Sequence, residues 1–168
     1  YEAGRRDFRP PARMIVLDRL TKAFGAKRVL TDLSLEVPDG QNTVIIGYSG
    51  SGKSVTLKCI VGLLEPDAGR VIVDGEVVQE MTRDRLMALR GRVGYVFQFA
   101  ALFDSMTVFD NVAMGLRRMG MAEEETAERV RESLRLVEME GVESRLPAQL
   151  SGGQRKRIGL ARAITTRP

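Results

Sequence analysis

Eight consecutive residues, Gly47-Tyr48-Ser49-Gly50-Ser51-Gly52-Lys53-Ser54, fit the phosphate-loop pattern G-x-x-x-x-G-K-[ST], which suits few architectures. Backbone N–H groups converge on a polyphosphate only where the chain curls tightly. Gly47, Gly50 and Gly52 lack the Cβ atoms that would block such a curl. The pattern also needs a strand before it and a helix after it. Residues 43–46 carry β-branched side chains on both faces, as a buried parallel strand does, and a helix is predicted to begin near Lys53. Lys53 is then placed to meet the β- and γ-phosphates of a nucleotide, Ser54 to offer its hydroxyl to Mg²⁺, and the helix to point its positive end at the anion. A chance Gly/Ser turn ahead of a lysine lacks these flanks.

Composition narrows the setting. At 168 residues, 43% hydrophobic and 29% charged, the chain supports one globular domain with a solvated surface. The net charge of +4 is spread among 22 acids, which argues against a nucleic-acid stripe. The densest basic stretch, Arg5, Arg6, Arg9 and Arg13, lies in a Pro-containing segment, 1–13, expected to be a flexible arm. One cysteine excludes an internal disulfide, and the absence of histidine leaves no zinc or haem constellation. Cys59, in the apolar run after the loop, reads as a packing residue in a reducing compartment. No window has the apolar length of a membrane span, and the N-terminal residues lack the apolar core of a secretory signal. Tyr1 at the start and an uncapped 165–168 at the end read as the ends of a fragment.

Residues 14–20 and 29–37 alternate apolar and polar side chains and predict strands, with a turn at Pro38-Asp39-Gly40. Residues 70–78 predict a hairpin about Asp74-Gly75, and 93–97 a further apolar strand ending at Gln98. Helical spacing follows. Thr107 can cap a helix presenting Val108, Val112 and Leu116, and 123–139 aligns Ala127, Val130, Leu134 and Val137 behind the acidic start Glu123-Glu124-Glu125. Leu150-Ser151-Gly152-Gly153-Gln154 then opens a helix carrying Ile158, Ala161 and Ile164, a second anion-seeking arrangement.

A phosphate loop alone is shared by kinases, GTPases, motors and transport ATPases. The run Leu150 to Gln154 resembles the LSGGQ signature of ATP-binding-cassette (ABC) proteins, and the resemblance extends in the family's motif order from about Met14. It implies an α/β fold, a P-loop NTPase of ABC type: an antiparallel β subdomain with the P-loop part of the core over 14–98, a helical subdomain over 99–150 and the signature helix over 151–168, the RecA-like core being incomplete. It implies ATP and Mg²⁺ as ligands, with Phe24 stacking on adenine beside Val29, and Gly47 through Ser54 with Val55 around the phosphates. Ser54 and the Q-loop residue Gln98 would serve the metal. Ser151, Gly152, Gly153 and Gln154 would bind the γ-phosphate of ATP held by Lys53 of a second subunit stacked head to tail. The basic run Arg155, Lys156 and Arg157 would shape that interface or form a solvated face.

The stretch 97–116, with GKSVTLK and RKRIGLARAI, looks like the Mla/Mce-type lipid-transport branch. The implied protein is a cytoplasmic ATPase, peripheral on the inner membrane through an integral permease whose coupling helix would dock near Phe99, Leu102, Phe103 and Phe109. The competing role for those four is subdomain core. An importer ATPase for a small solute and a non-catalytic nucleotide-binding half-domain are the alternatives. A DNA-repair or chromosome ATPase would separate the motifs by long coiled coils, and no sustained heptads occur here. The family's Walker B aspartate, catalytic glutamate and switch histidine find no match in the chain, so it is expected to lack hydrolysis as it stands. Without the family's intervening strands, 43–46 and 93–97 are expected to be separated and exposed, and the chain alone to be unstable.

Overall fold

The computed structural model describes residues 14–168, so the arm expected over 1–13 lies outside the described residues. The described residues divide into two compact units, one ending at Leu89 and the other spanning Arg90–Pro168.

In the first unit, β1 (Met14–Phe24) and β2 (Lys27–Pro38) form a long hairpin, with β3 (Ala68–Val73) and the short β4 (Glu76–Val77) completing an antiparallel sheet of order β2-β1-β3-β4. One extra residue interrupts β1. Leu17 pairs with Leu35 but Leu20 with Leu33, and the same slip occurs against β3, between Asp18–Arg70 and Thr21–Ala68. This bulge lets Leu17 and Leu20 both enter the core, where strict alternation would send them to opposite faces. Arg19 takes up the strain at φ +51°. Gly69 (φ +83°) passes so close that a Cβ there would strike the Arg19 carbonyl oxygen. The β3–β4 turn places both Asp74 (φ +51°) and Gly75 (φ +84°) in the left-handed region, the mirror-image turn that matches strand twist. Helix α1 (Lys53–Ile60) buries Thr56 and Cys59, and burial pushes the Cys59 thiol pKa up, as suits a packing residue. Helix α2 (Arg83–Gly91) runs across the division between the units.

Two predicted strands do not form. Residues 43–46 have no regular structure, and Val44 and Ile46 are 77% and 90% exposed, as expected of a segment without its partner strands. Residues 93–97 are likewise irregular, with Val96 and Phe97 exposed and the rings of Tyr95 and Phe97 4.6 Å apart. β-branched composition favours extended backbone, but a parallel strand exists only beside a partner, and neither segment has one among the described residues.

The second unit packs α3 (Val108–Arg118), α4 (Glu123–Leu136) and α5 (Gly152–Ile164) around one apolar core. Val108, Val112, Ala113 and Leu116 of α3 meet Val130 and Leu134 of α4 and Ile158 and Ala161 of α5 there. The signature helix is thus part of the helical core. Thr107 caps α3, its hydroxyl accepting from Asp110 N, while Val108 N and Phe109 N donate to the carbonyls of Arg145 and Glu143. Ala127 is only half-buried, and Thr126 takes the inward position beside it.

Asn111, fully buried on α3, holds the loop that precedes the helix. Its Oδ1 accepts from Phe103 N at 2.8 Å, and its Nδ2 donates to the carbonyls of Phe103, Met106 and Thr107 at 3.1, 3.1 and 2.9 Å. Asn111→Ala leaves these groups without their amide partner. It is expected to destabilise the full-length protein by about 2–3 kcal/mol, read as a lower urea midpoint at unchanged slope.

Candidate functional site

The phosphate loop is shaped by its own contacts. Gly50 (φ +83°) and Gly52 (φ +99°) lie in the left-handed region, and a Cβ on Gly52 would sit 2.6 Å from Leu30 Cδ2 and 3.0 Å from the Val29 carbonyl oxygen. Val29 therefore supports the loop from β2. Ser51 N donates to Tyr48 O at 3.2 Å, and Thr56 donates to Gly52 O through both its N–H (2.8 Å) and its hydroxyl (3.0 Å). Lys53 Nζ arches back to the carbonyls of Gly47 and Tyr48 at 2.7 and 2.8 Å, spending two of its three N–H bonds on the curl.

The donor chemistry fits a polyphosphate. The loop is exposed over residues 47–50, opens a helix, and has no carboxylate anywhere in 41–58, while Lys53 and Lys58 supply positive charge. Ser54 is exposed in the first turn of α1, next to Val55. Among the described residues no group of three or more Asp, Glu, His or Cys could hold a metal ion, so a cation here would draw on the Ser54 hydroxyl and phosphate oxygens, the habit of Mg²⁺. Gln98, the other expected contributor, is exposed in the second unit. Phe24, at the end of β1, is 50% exposed, leaving ring surface for a base.

Ser151 is the N-cap of α5 and forms a reciprocal capping box: its Oγ accepts from Gln154 N at 3.2 Å, and Gln154 Oε1 accepts from Ser151 N at 2.8 Å. Gln154 is thus committed to the helix start, while Ser151, Gly152 and Gly153 face solvent at its positive end. The basic run divides. Arg155 donates to Leu150 O (2.6 Å) and Pro147 O (3.4 Å), bracing the turn into the helix. Arg157 pairs with Glu138 at 3.0 Å, and Lys156 is exposed.

Sequence reasoning missed Arg162. From α5 its two terminal nitrogens donate to Ala100 O (2.9 Å) and Ala101 O (2.8 Å), and Gly159 packs so closely that its Cβ would lie 3.2 Å from that of Ala100. The chain leaving Gln98 is fastened to the signature helix, with Ala101 held at φ +48°. The available signal was spacing: Arg162 lies four residues after inward-facing Ile158. Of the four residues named for permease docking, Phe99 and Phe103 are exposed, whereas Leu102 and Phe109 pack against the helical core.

The profile of the ABC transporter family matches residues 30–168. The sulfate/thiosulfate import ATP-binding protein CysA of a Synechocystis strain is 44% identical over 155 residues, 92% of this chain and 42% of that protein. The probable ribonucleotide transport ATP-binding protein mkl of Mycobacterium leprae is 43% identical over 150 residues, 89% of this chain and 43% of that protein. The chain therefore spans less than half the length of these relatives. A solved dimer of the ATP-binding cassette MJ0796 in a post-hydrolysis state, bound to ADP and Pi, superposes with a TM-score of 0.85 at 33% identity, covering 92% of this chain and 70% of that one.

Gln154→Ala removes half of the capping box. It is expected to weaken the start of α5 by about 1 kcal/mol, seen as faster amide exchange at Ser151, Gln154 and Arg155 with little change in the α3–α4 core.

Proposed function

Because the chain belongs to the ABC transporter family, we propose that it forms the ATP-binding part of a transporter's ATPase subunit, coupling ATP binding and hydrolysis to transport. One observation carries the reading: a single chain presents two solvent-open anion seats, the lysine-locked phosphate loop and the capped Gly152-Gly153 helix start. In this reading Lys53 and the loop N–H groups hold the β- and γ-phosphates, Ser54 offers its hydroxyl to Mg²⁺, Phe24 takes the adenine ring, and Val29 supports the loop from behind. Bound ATP with Mg²⁺ supplies the phosphoanhydride whose cleavage drives the cycle. Ser151, Gly152 and Gly153 of one subunit close on the nucleotide of a second copy, stacked head to tail. Two surfaces that each hold half an anion site gain contacts only when nucleotide is present, so ATP binding favours the dimer. That a solved neighbour is dimeric and bound to ADP and Pi supports a nucleotide-bound dimer.

The membrane partner in this reading is a permease, reached through the exposed residues after Gln98, with the subunit on the cytoplasmic face of the inner membrane. Among the described residues no helix is long and apolar enough to cross a membrane. The cargo we favour is phospholipid or a related lipid, on the likeness of 97–116 to the Mla/Mce-type branch. The sulfate/thiosulfate import role of the Synechocystis relative favours the second reading, a small-solute importer.

Mg-ATP turnover of the full-length protein beside Lys53→Ala tests the central claim. Turnover that the substitution abolishes is the expected result. Nucleotide binding with no Lys53-dependent turnover would instead make this a non-catalytic half-domain.

A further inference from the structure

Phe24 sits where β1 loses regular pairing: the register against β2 shifts between Leu20 and Lys22 and again between Lys22 and Ala23. The strand end is held from elsewhere in the chain. Asp67, just before β3, donates its N–H to Thr21 O at 2.8 Å, accepts from Ala23 N on Oδ2 at 2.7 Å, and binds Lys22 Nζ on Oδ1 at 2.6 Å. Three consecutive residues ahead of Phe24 are thereby fastened to one aspartate. The Lys22 ammonium in turn lies over the Phe24 ring, 5.8 Å from its centroid, and the lysine side chain is only 15% exposed.

This differs from an ordinary surface ion pair in two respects. Both carboxylate oxygens act on adjacent strand residues, and the cation is fixed against an aromatic face instead of free in solvent. The Lys22 hydrogen bond, and then that of Ala23 N, hold the Asp67 carboxyl below the usual carboxylate range, so it stays ionised at neutral pH. A cation against one face draws π density toward itself, leaving the open face better disposed to an electron-rich purine.

We propose that Lys22 and Asp67 are positioning residues for nucleobase recognition: Asp67 fixes the end of β1 and the ammonium, and the ammonium fixes and polarises the Phe24 ring. The proposal rests on the reading that Phe24 stacks on the base.

The test measures binding of ATP and of inorganic tripolyphosphate, which lacks a base, to the full-length protein by calorimetry. Asp67→Ala and Lys22→Met, the latter keeping most of the stem, are each expected to weaken ATP about three- to tenfold while leaving tripolyphosphate unchanged. Neither should weaken ATP further in a Phe24→Ala background. Equal losses for both ligands, no loss of ATP in either variant, or losses that add to that of Phe24→Ala would overturn the pair's role. Phe24→Ala separates the two claims. If it spares the ATP-to-tripolyphosphate ratio, the stacking reading itself fails and the proposal with it; if it lowers ATP alone while Asp67→Ala and Lys22→Met are silent, only the proposal fails.

Discussion

No side chain fits between Gly52 and β2. A Cβ there would collide with Leu30 and the Val29 carbonyl, so the phosphate loop can rest on the hairpin only as bare backbone, at φ +99°. Much of the first unit follows from that approach. The loop's last glycine becomes the N-cap of α1, Thr56 closes back onto its carbonyl, and Lys53 is left free to turn over the loop and tie down Gly47 and Tyr48. The hairpin that accepts the loop also ends in Phe24, so one element supports the phosphate seat and carries the aromatic ring.

The second unit solves a similar problem with side chains. The Ser151–Gln154 box satisfies donors at the start of α5 with side chains and leaves Gly152 and Gly153 uncovered. Arg155 and Arg157 fasten the approach and first turns to neighbouring carbonyl and carboxylate oxygens. A run that reads as simple surface charge is therefore partly internal bracing.

Legibility in the sequence followed the range of the interaction. The glycine curl of the loop, the Asp74-Gly75 hairpin, the Thr107 cap and most of the three inward helical faces depend on residues within about one or two turns of each other and could be read directly, Ala127 being the position where Thr126 turns inward instead. The bulge at Arg19 could not, because it is set by two neighbouring strands at once. Lys22 and Asp67 are 45 residues apart, and Arg162 lies 61 residues beyond Ala101, so spacing can mark Arg162 as inward-facing but names the partner of neither contact. Residues 43–46 and 93–97 failed for the opposite reason: their composition is locally persuasive, but a strand is a property of a pair of segments.

Arg162 grips main-chain carbonyls, and every amino acid offers the same carbonyl. The link between the signature helix and the chain after Gln98 therefore uses no side-chain atom of exposed residue 101, whose identity is limited only by its left-handed backbone at φ +48°. Residues facing outward along this segment, Phe99 and Phe103 among them, can diversify without loosening the fastening beneath. The fastening and the surface above it are thus built from different atoms, backbone carbonyls beneath and side chains outside.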